Sequence, residues 1–163
     1  MRLITSTSAQ QHSIHFETRK GTPIVNSQSP VIAAWQTNQF SQLQRRYPKV
    51  VHRTGPSGFY NCHGLVFASR RAEIYTPEVN KILHEDCYNE IRPLQDVKPG
   101  DVILYYDSDG DIEHSGIVVA EPRADTLLIP MVVSKWGAWR EVVHFANDCP
   151  YTFADARYYR VVS

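Results

Sequence analysis

Val97-Lys98-Pro99-Gly100-Asp101-Val102-Ile103-Leu104-Tyr105-Tyr106-Asp107-Ser108-Asp109-Gly110 reads as a turn, a strand and a second turn. Pro-Gly punctuates the chain ahead of Asp101. The run that follows is rich in β-branched and aromatic residues, which suit a pleated, packed surface. Asp-Ser-Asp-Gly is a hairpin-type connection, so the next strand should fold back antiparallel. Further strands are expected at about 114–120, 126–134, 141–145 and 157–162.

Upstream of this stretch the pattern is helical. Ser29-Pro30 reads as an N-cap followed by Pro in the first helical position. The segment 31–47 carries apolar residues at 31, 32, 35, 40, 43 and 47, and Pro48 stops it. Thr54-Gly55-Pro56-Ser57-Gly58 is a turn-rich loop. Asn61 is placed to cap a helix running from Cys62 to about Tyr75. Thr76-Pro77-Glu78 opens another that ends near Cys87. Helices first and strands second predict an α+β layout, with an antiparallel sheet and helices packed on it. Residues 1–28 are rich in Ser, Thr and Gln, and only Ser13 to Thr18 alternates. They predict a short strand or a loosely attached arm, leaving 29–163 as a single domain.

The size fits one domain: 163 residues and 18.7 kDa. With 42% hydrophobic and 21% charged residues the chain can bury a core, which excludes a fully disordered protein. Lys+Arg and Asp+Glu are both 17. Without a basic excess, neither a duplex nucleic acid nor an anionic membrane surface is an expected partner. The longest apolar runs, 116–120 and 129–133, are strand-sized and far short of the roughly 20 residues that span a bilayer. Met1-Arg2-Leu3-Ile4-Thr5-Ser6-Thr7-Ser8 has no sustained apolar region and does not read as a secretory signal. The expectation is a cytoplasmic protein, or one exported by a route that reads no such signal. Cys62, Cys87 and Cys149 are an odd count without framework spacing and read as free thiols.

Cys62 stands out by position. It falls in the first turn of a predicted helix, where unpaired N–H groups favour negative charge and a thiolate. A cysteine nucleophile also needs a base, usually an imidazole. His114 opens the apolar run His114-Ser115-Gly116-Ile117-Val118-Val119, and the small residues at 115 and 116 leave room for another group. Val132-Val133-Ser134-Lys135-Trp136-Gly137 ends the next strand. There Ser134 is placed to orient the imidazole and Trp136 to shield that hydrogen bond from water. Zinc is the competing reading of Cys62-His63, His84-x-x-Cys87 and His144-x4-Cys149. Only His84 and Cys87 have ligand spacing, so no metal site is expected. Asp107-Ser108-Asp109-Gly110-Asp111 lacks the Gly at position six and the Glu at position twelve of a calcium loop, and reads as a solvated turn.

The order Cys62 at a helix start, then Pro-Gly-Asp-Val-Ile-Leu-Tyr-Tyr, then His-Ser-Gly-Ile-Val-Val resembles the papain-like superfamily, while Asn61-Cys62-His63 departs from the Asp-Cys-Ser triplet usual there. It is most similar to the compact NlpC/P60 and CHAP-type amidases and peptidases. Ser134-Lys135-Trp136-Gly137 resembles the Asn-Ser-Trp-Gly segment of papain, whose Asn is the third catalytic residue. The likeness spans about 54–137. It implies Cys62 as nucleophile, His114 as general base and acid, and Ser134 as orienter, with Tyr60 and Trp136 lining the substrate site. The loop before Cys62 has no Gln for an oxyanion; the Cys62 N–H with Tyr60 or Ser57 would serve instead. The implied activity is a cofactor-free cysteine hydrolase acting on a peptide, protein or small amide. Deamidase or acyltransferase chemistry of an effector, with an inhibitory or immunity partner, stays open. So does a papain-like binding or regulatory module without activity.

Overall fold

In the computed structural model, which describes residues 12–162, the chain forms nine strands and three helices. Their order begins β1 (Asn26–Ser27), α1 (Ala34–Arg46), β2 (Val51–His52), α2 (Cys62–Phe67), β3 (Glu73–Ile74) and α3 (Thr76–Glu85). It continues β4 (Tyr88–Ile91), β5 (Val102–Tyr106), β6 (Ile112–Ala120), β7 (Met131–Lys135), β8 (Glu141–Phe145) and β9 (Arg157–Val161). Seven strands make one sheet in the order β2-β8-β7-β6-β5-β9-β4, each neighbouring pair antiparallel. β1 and β3 form a separate pair. All three helices precede the central strands, so the mixed α+β layout expected from the sequence is present. None is long and apolar enough to cross a membrane.

The decisive hairpin forms as its residues dictate. Asp107 Oδ1 accepts the N–H groups of Asp109 and Asp111, each at 2.9 Å, and Gly110 takes a φ of +85° that suits glycine. β5 then pairs with β6 from Val102↔Ile117 to Tyr105↔His114. Side chains alternate across the pleat. Ile103 and Tyr105 enter a core with Val118, Val132, Trp136 and Trp139. Val102, Leu104 and Tyr106 enter the opposite one with Val79 of α3 and Ile112. β5 is buried on both faces, which explains its unbroken apolar run. Asp101, at its start, is buried as well. Its carboxylate accepts the Lys98 N–H at 2.6 Å and both arms of the Arg160 fork at 2.6 and 2.7 Å, stitching β5 to β9.

Several expected boundaries move. The helix expected over 31–47 starts at Ala34. Ser29 is no cap, because its hydroxyl donates to the Val31 carbonyl; the Gln36 side chain accepts the Ala33 N–H instead. The helix expected over 62–75 stops at Phe67. Ser69 and Arg70 adopt left-handed φ values of +50° and +66°, and the N–H groups of Ala68 and Arg70 both turn back to the Gly64 carbonyl. The chain then returns along α2 into β3, where hydrogen bonds to β1 replace further helix. The strand expected over 126–134 begins only at Met131, after a 3-10 turn over Ala124–Thr126 and left-handed Leu127 and Leu128. β4 was not foreseen, nor were the two-residue strands.

Residues 1–11 of the expected arm lie outside the described residues. Residues 12–28 pack against α2 and α3. Ile24 is buried with Ala68, Ile74 and Ile82, and the Asn26 side chain bonds both backbone groups of Ile14.

The return of the chain along α2 leaves no space at Gly64, where a Cβ would lie 1.8 Å from the Ala72 carbonyl oxygen. That atom is backbone and cannot step aside. Gly64→Ala should therefore cost about 3 kcal/mol in urea unfolding, at the upper end of overpacking effects. Gly55→Ala, whose Cβ meets nothing within 4 Å, should stay within about 0.5 kcal/mol of the parent.

Candidate active site

Asn61 places the cysteine. Its extended backbone (φ −105°, ψ −170°) ends the loop, and its Oδ1 accepts the Gly64 N–H at 2.8 Å, as an N-cap does. The same oxygen accepts the Ile74 N–H at 3.2 Å, and Nδ2 donates to the Ile74 carbonyl at 2.8 Å. Cys62 is thus held in the first turn of α2, facing β6.

The loop before Asn61 is held from the other side. Lys135 is fully buried, and its ammonium donates to the carbonyls of Ser57, Gly137 and Trp139 at 2.7–3.0 Å. Burial pulls its pKa down to about 8, against the attraction of Glu141. Glu141 accepts a hydrogen bond from the Tyr60 hydroxyl at 2.7 Å and a bidentate pair from Arg70. Burial opposes the ionised carboxylate, but Arg70 and Tyr60 outweigh it and hold the Glu141 pKa below its usual range. Burial and Glu141 in turn push the Tyr60 phenol up to about 12.

Cys62 is 9% exposed and sits among two imidazoles, His63 and His114. Burial works against its thiolate, yet the attraction of His63 and then His114 holds the thiol well below its ordinary range. Burial favours the neutral form of His114 and, although Cys62 pulls the other way, holds its pKa below the usual imidazole range. The other thiols differ. Cys149 is pushed up to about 11 by burial, and Cys87 is exposed at the end of α3. All three cysteines are free.

The two residues on which the sequence reading turned, Cys62 and His114, are therefore brought together. The other three are not where that reading put them. Ser134 does not orient His114: its hydroxyl accepts the Trp136 indole N–H at 2.9 Å and bonds His144 Nε2 at 2.8 Å. Trp136 is a core residue packed edge-on against Tyr47 and His144, not a substrate contact. Tyr60 is buried and its hydroxyl is committed to Glu141, which takes it out of the oxyanion role. The room expected beside Gly116 is filled, since a Cβ there would meet the Val133 carbonyl at 3.0 Å and Ser134 Cβ at 3.2 Å.

The sequence reading passed over two neighbours of the pair. His63 entered it as a zinc candidate and in the Asn61-Cys62-His63 triplet, with no part beside the thiol. Its Nδ1 bonds the Ser115 hydroxyl at 2.8 Å and its Nε2 the Thr76 hydroxyl at 3.2 Å. The signal was present as two matched dipeptides, Cys62-His63 facing His114-Ser115. Tyr151 stacks on His114 with ring centroids 3.5 Å apart and planes within 7°; no local pattern announced it. Among the described residues no three His, Cys, Asp or Glu side chains gather as a metal site.

No family model, no curated protein and no solved structure matches this chain. Its chemistry is read from its own side chains.

His144 shows what a satisfied histidine looks like here. Trp136 donates to Ser134, so the Ser134 proton is free to go to His144 Nε2, and Nδ1–H donates to the Phe145 carbonyl at 2.7 Å. Burial holds this neutral ring at a pKa of about 4. Between pH 6.5 and 4 the unfolded chain takes up a proton that the folded one refuses. Stability should be intact above pH 6.5 and fall by up to about 3 kcal/mol toward pH 4. In urea melts at the two pH values, His144→Gln should lose less of its own stability than the parent does.

Proposed function

We propose that this chain is a cysteine hydrolase of papain-like, NlpC/P60-type architecture that cleaves, or transfers across, an amide bond. The observation that carries the proposal is the buried apposition of Cys62 and His114 across α2 and β6, with the thiol held well below its ordinary range. The finer fold assignment is supported by the sequence of elements: a capped helix bearing the cysteine, a Gly-Asp strand, a strand bearing the histidine, and a third antiparallel strand beside it.

In this reading the Cys62 thiolate attacks the substrate carbonyl and the C–N bond breaks as the tetrahedral adduct collapses. The Cys62 N–H, in the first turn of α2, is one donor to the oxyanion. His114 carries the thiol proton and delivers it to the leaving amine. Water, deprotonated by the same imidazole, then attacks the thioester and releases the acid. An amine or thiol acceptor in place of water gives transfer, and a side-chain amide as substrate gives deamidation. Peptides, proteins and small amides all fit this chemistry, and no cofactor is called for.

A second reading, a binding or regulatory module without turnover, is favoured by the closure of the site: His114 is 0% exposed beneath Tyr151, and Ser134 is engaged elsewhere. A thiol-reactive probe separates the two. At about pH 6, well below the ordinary thiol pKa of about 8.5, Cys62 should label ahead of Cys149 and of the exposed Cys87. His114→Ala should remove that preference, read by peptide mass spectrometry. Equal slow labelling of all three cysteines in the parent sinks the hydrolase.

A further inference from the structure

A base in this role needs its ring plane fixed, because the torsion that turns an imidazole is broad. Hydrogen bonding to the second ring nitrogen is the usual means. Here Ser115 serves His63, and three further polar side chains of β6 and β7 are likewise engaged. Ser134 serves His144 and Trp136, Lys135 serves three carbonyls, and the Glu113 carboxylate accepts the Thr152 N–H. Among the described residues no oxygen or nitrogen partner meets either nitrogen of His114, although the ring is wholly buried, and the polar group that faces it is the Cys62 thiol.

What meets the ring is aromatic. Tyr151 lies parallel to it at 3.5 Å, while Tyr105 leans on it at 5.4 Å and 47°. The stack is held from outside. Glu113 precedes His114 on β6 and Thr152 follows Tyr151, and those two flanking residues are joined by the hydrogen bond just named. The Cys149 thiol donates toward the Tyr151 carbonyl at 3.8 Å, and the Tyr105 hydroxyl donates to the Ala146 carbonyl at 2.9 Å. The loop after β8 is thereby anchored beside the ring it covers.

We propose that Tyr151 is the positioning residue for the His114 imidazole, fixing the ring plane by stacking where a hydrogen-bonding third side chain would otherwise stand. The proposal rests on the hydrolase reading above. It assigns the phenol hydroxyl no part in the chemistry, so phenylalanine should replace tyrosine. The ionisable groups around the pair are His63 on α2, Glu73 on β3, Glu113 on β6, Lys135 on β7, His144 on β8 and Tyr151 itself. None of them is altered by the Tyr151→Phe comparison except the phenol.

The test is the rate of Cys62 alkylation by iodoacetamide on the full chain, followed from about pH 5 to 10 by mass spectrometry. The parent should show a low-pH limb that His114→Ala abolishes. Tyr151→Phe should keep that limb within about twofold. Tyr151→Leu should lose about tenfold or more at pH 6 while keeping the parent rate at pH 10, a split that a general loosening of the fold would not produce. If Tyr151→Leu does not fold by circular dichroism, Glu113→Ala, which releases the loop anchor, should lose more of the low-pH limb than Glu113→Gln, which removes the same charge but keeps an acceptor for the Thr152 N–H. An unchanged low-pH limb in the folded variant overturns the positioning role alone. A parent without that limb overturns the hydrolase reading, and this proposal with it.

Discussion

Asn61 ties Cys62 to the rest of the molecule. A six-residue helix is far below the length at which helices persist unaided, so α2 exists because it is docked. Asn61 supplies the cap, worth about 1 kcal/mol in such positions. With the same amide group it binds both backbone groups of Ile74, on the strand that returns past the helix. Gly64 lets that returning chain touch the helix backbone, and its carbonyl receives the Ala68 and Arg70 N–H groups that end the helix. The direction of Cys62 toward β6 follows from these contacts.

The other side of the site is set by buried charge. An ammonium or a carboxylate taken out of water is costly unless it is fully bonded. Lys135 meets that condition with three donors and three carbonyls. Glu141 meets it with a guanidinium fork and a phenol. Such groups are weak evidence for extra stability, since apolar replacements often do as well. What they specify is geometry. The carbonyls bound by Lys135 belong to the loop before Cys62 and to the turn between β7 and β8, so loop and turn hold one arrangement. Hydrogen bonds from Arg53 and Ser57 to that same turn and strand complete the seam.

The sheet was legible in the sequence because its signals are local. The Pro-Gly-Asp turn, the Asp107–Gly110 connection and the apolar runs of β5, β6 and β8 each act over a few residues. The helix starts at Asn61 and Thr76 were legible for the same reason. Where the reading missed, a distant partner overrode the local pattern. The stretch 68–75 has helical periodicity, but its backbone pairs β3 with β1, and the Arg70 side chain is drawn to Glu141. Ser29 looks like a cap only until its hydroxyl finds the Val31 carbonyl. In the site, Cys62 and His114 were visible through position and type. Ser134, Trp136 and Tyr60 were misplaced because polar atoms near a site look alike in sequence, whether they face the reacting groups or the core behind them. Tyr151 could not be seen, since stacking at long range leaves no spacing to read.

The two histidines buried against the sheet make the strongest case for where the chemistry lies. His144 and His114 are both almost wholly enclosed, one on β8 and one on β6. His144 has a partner at each nitrogen and is kept neutral, which is how a structural imidazole is accommodated. Among the described residues His114 has no oxygen or nitrogen partner at either, and faces the Cys62 thiol instead. A fold that satisfies one buried histidine so completely has no structural need to leave the other wanting. Deficits of this kind are rare in native interiors and collect where a side chain must be free to exchange a proton. The side chain that faces His114 is the Cys62 thiol, whose ionisation the two neighbouring imidazoles, His63 and His114, promote.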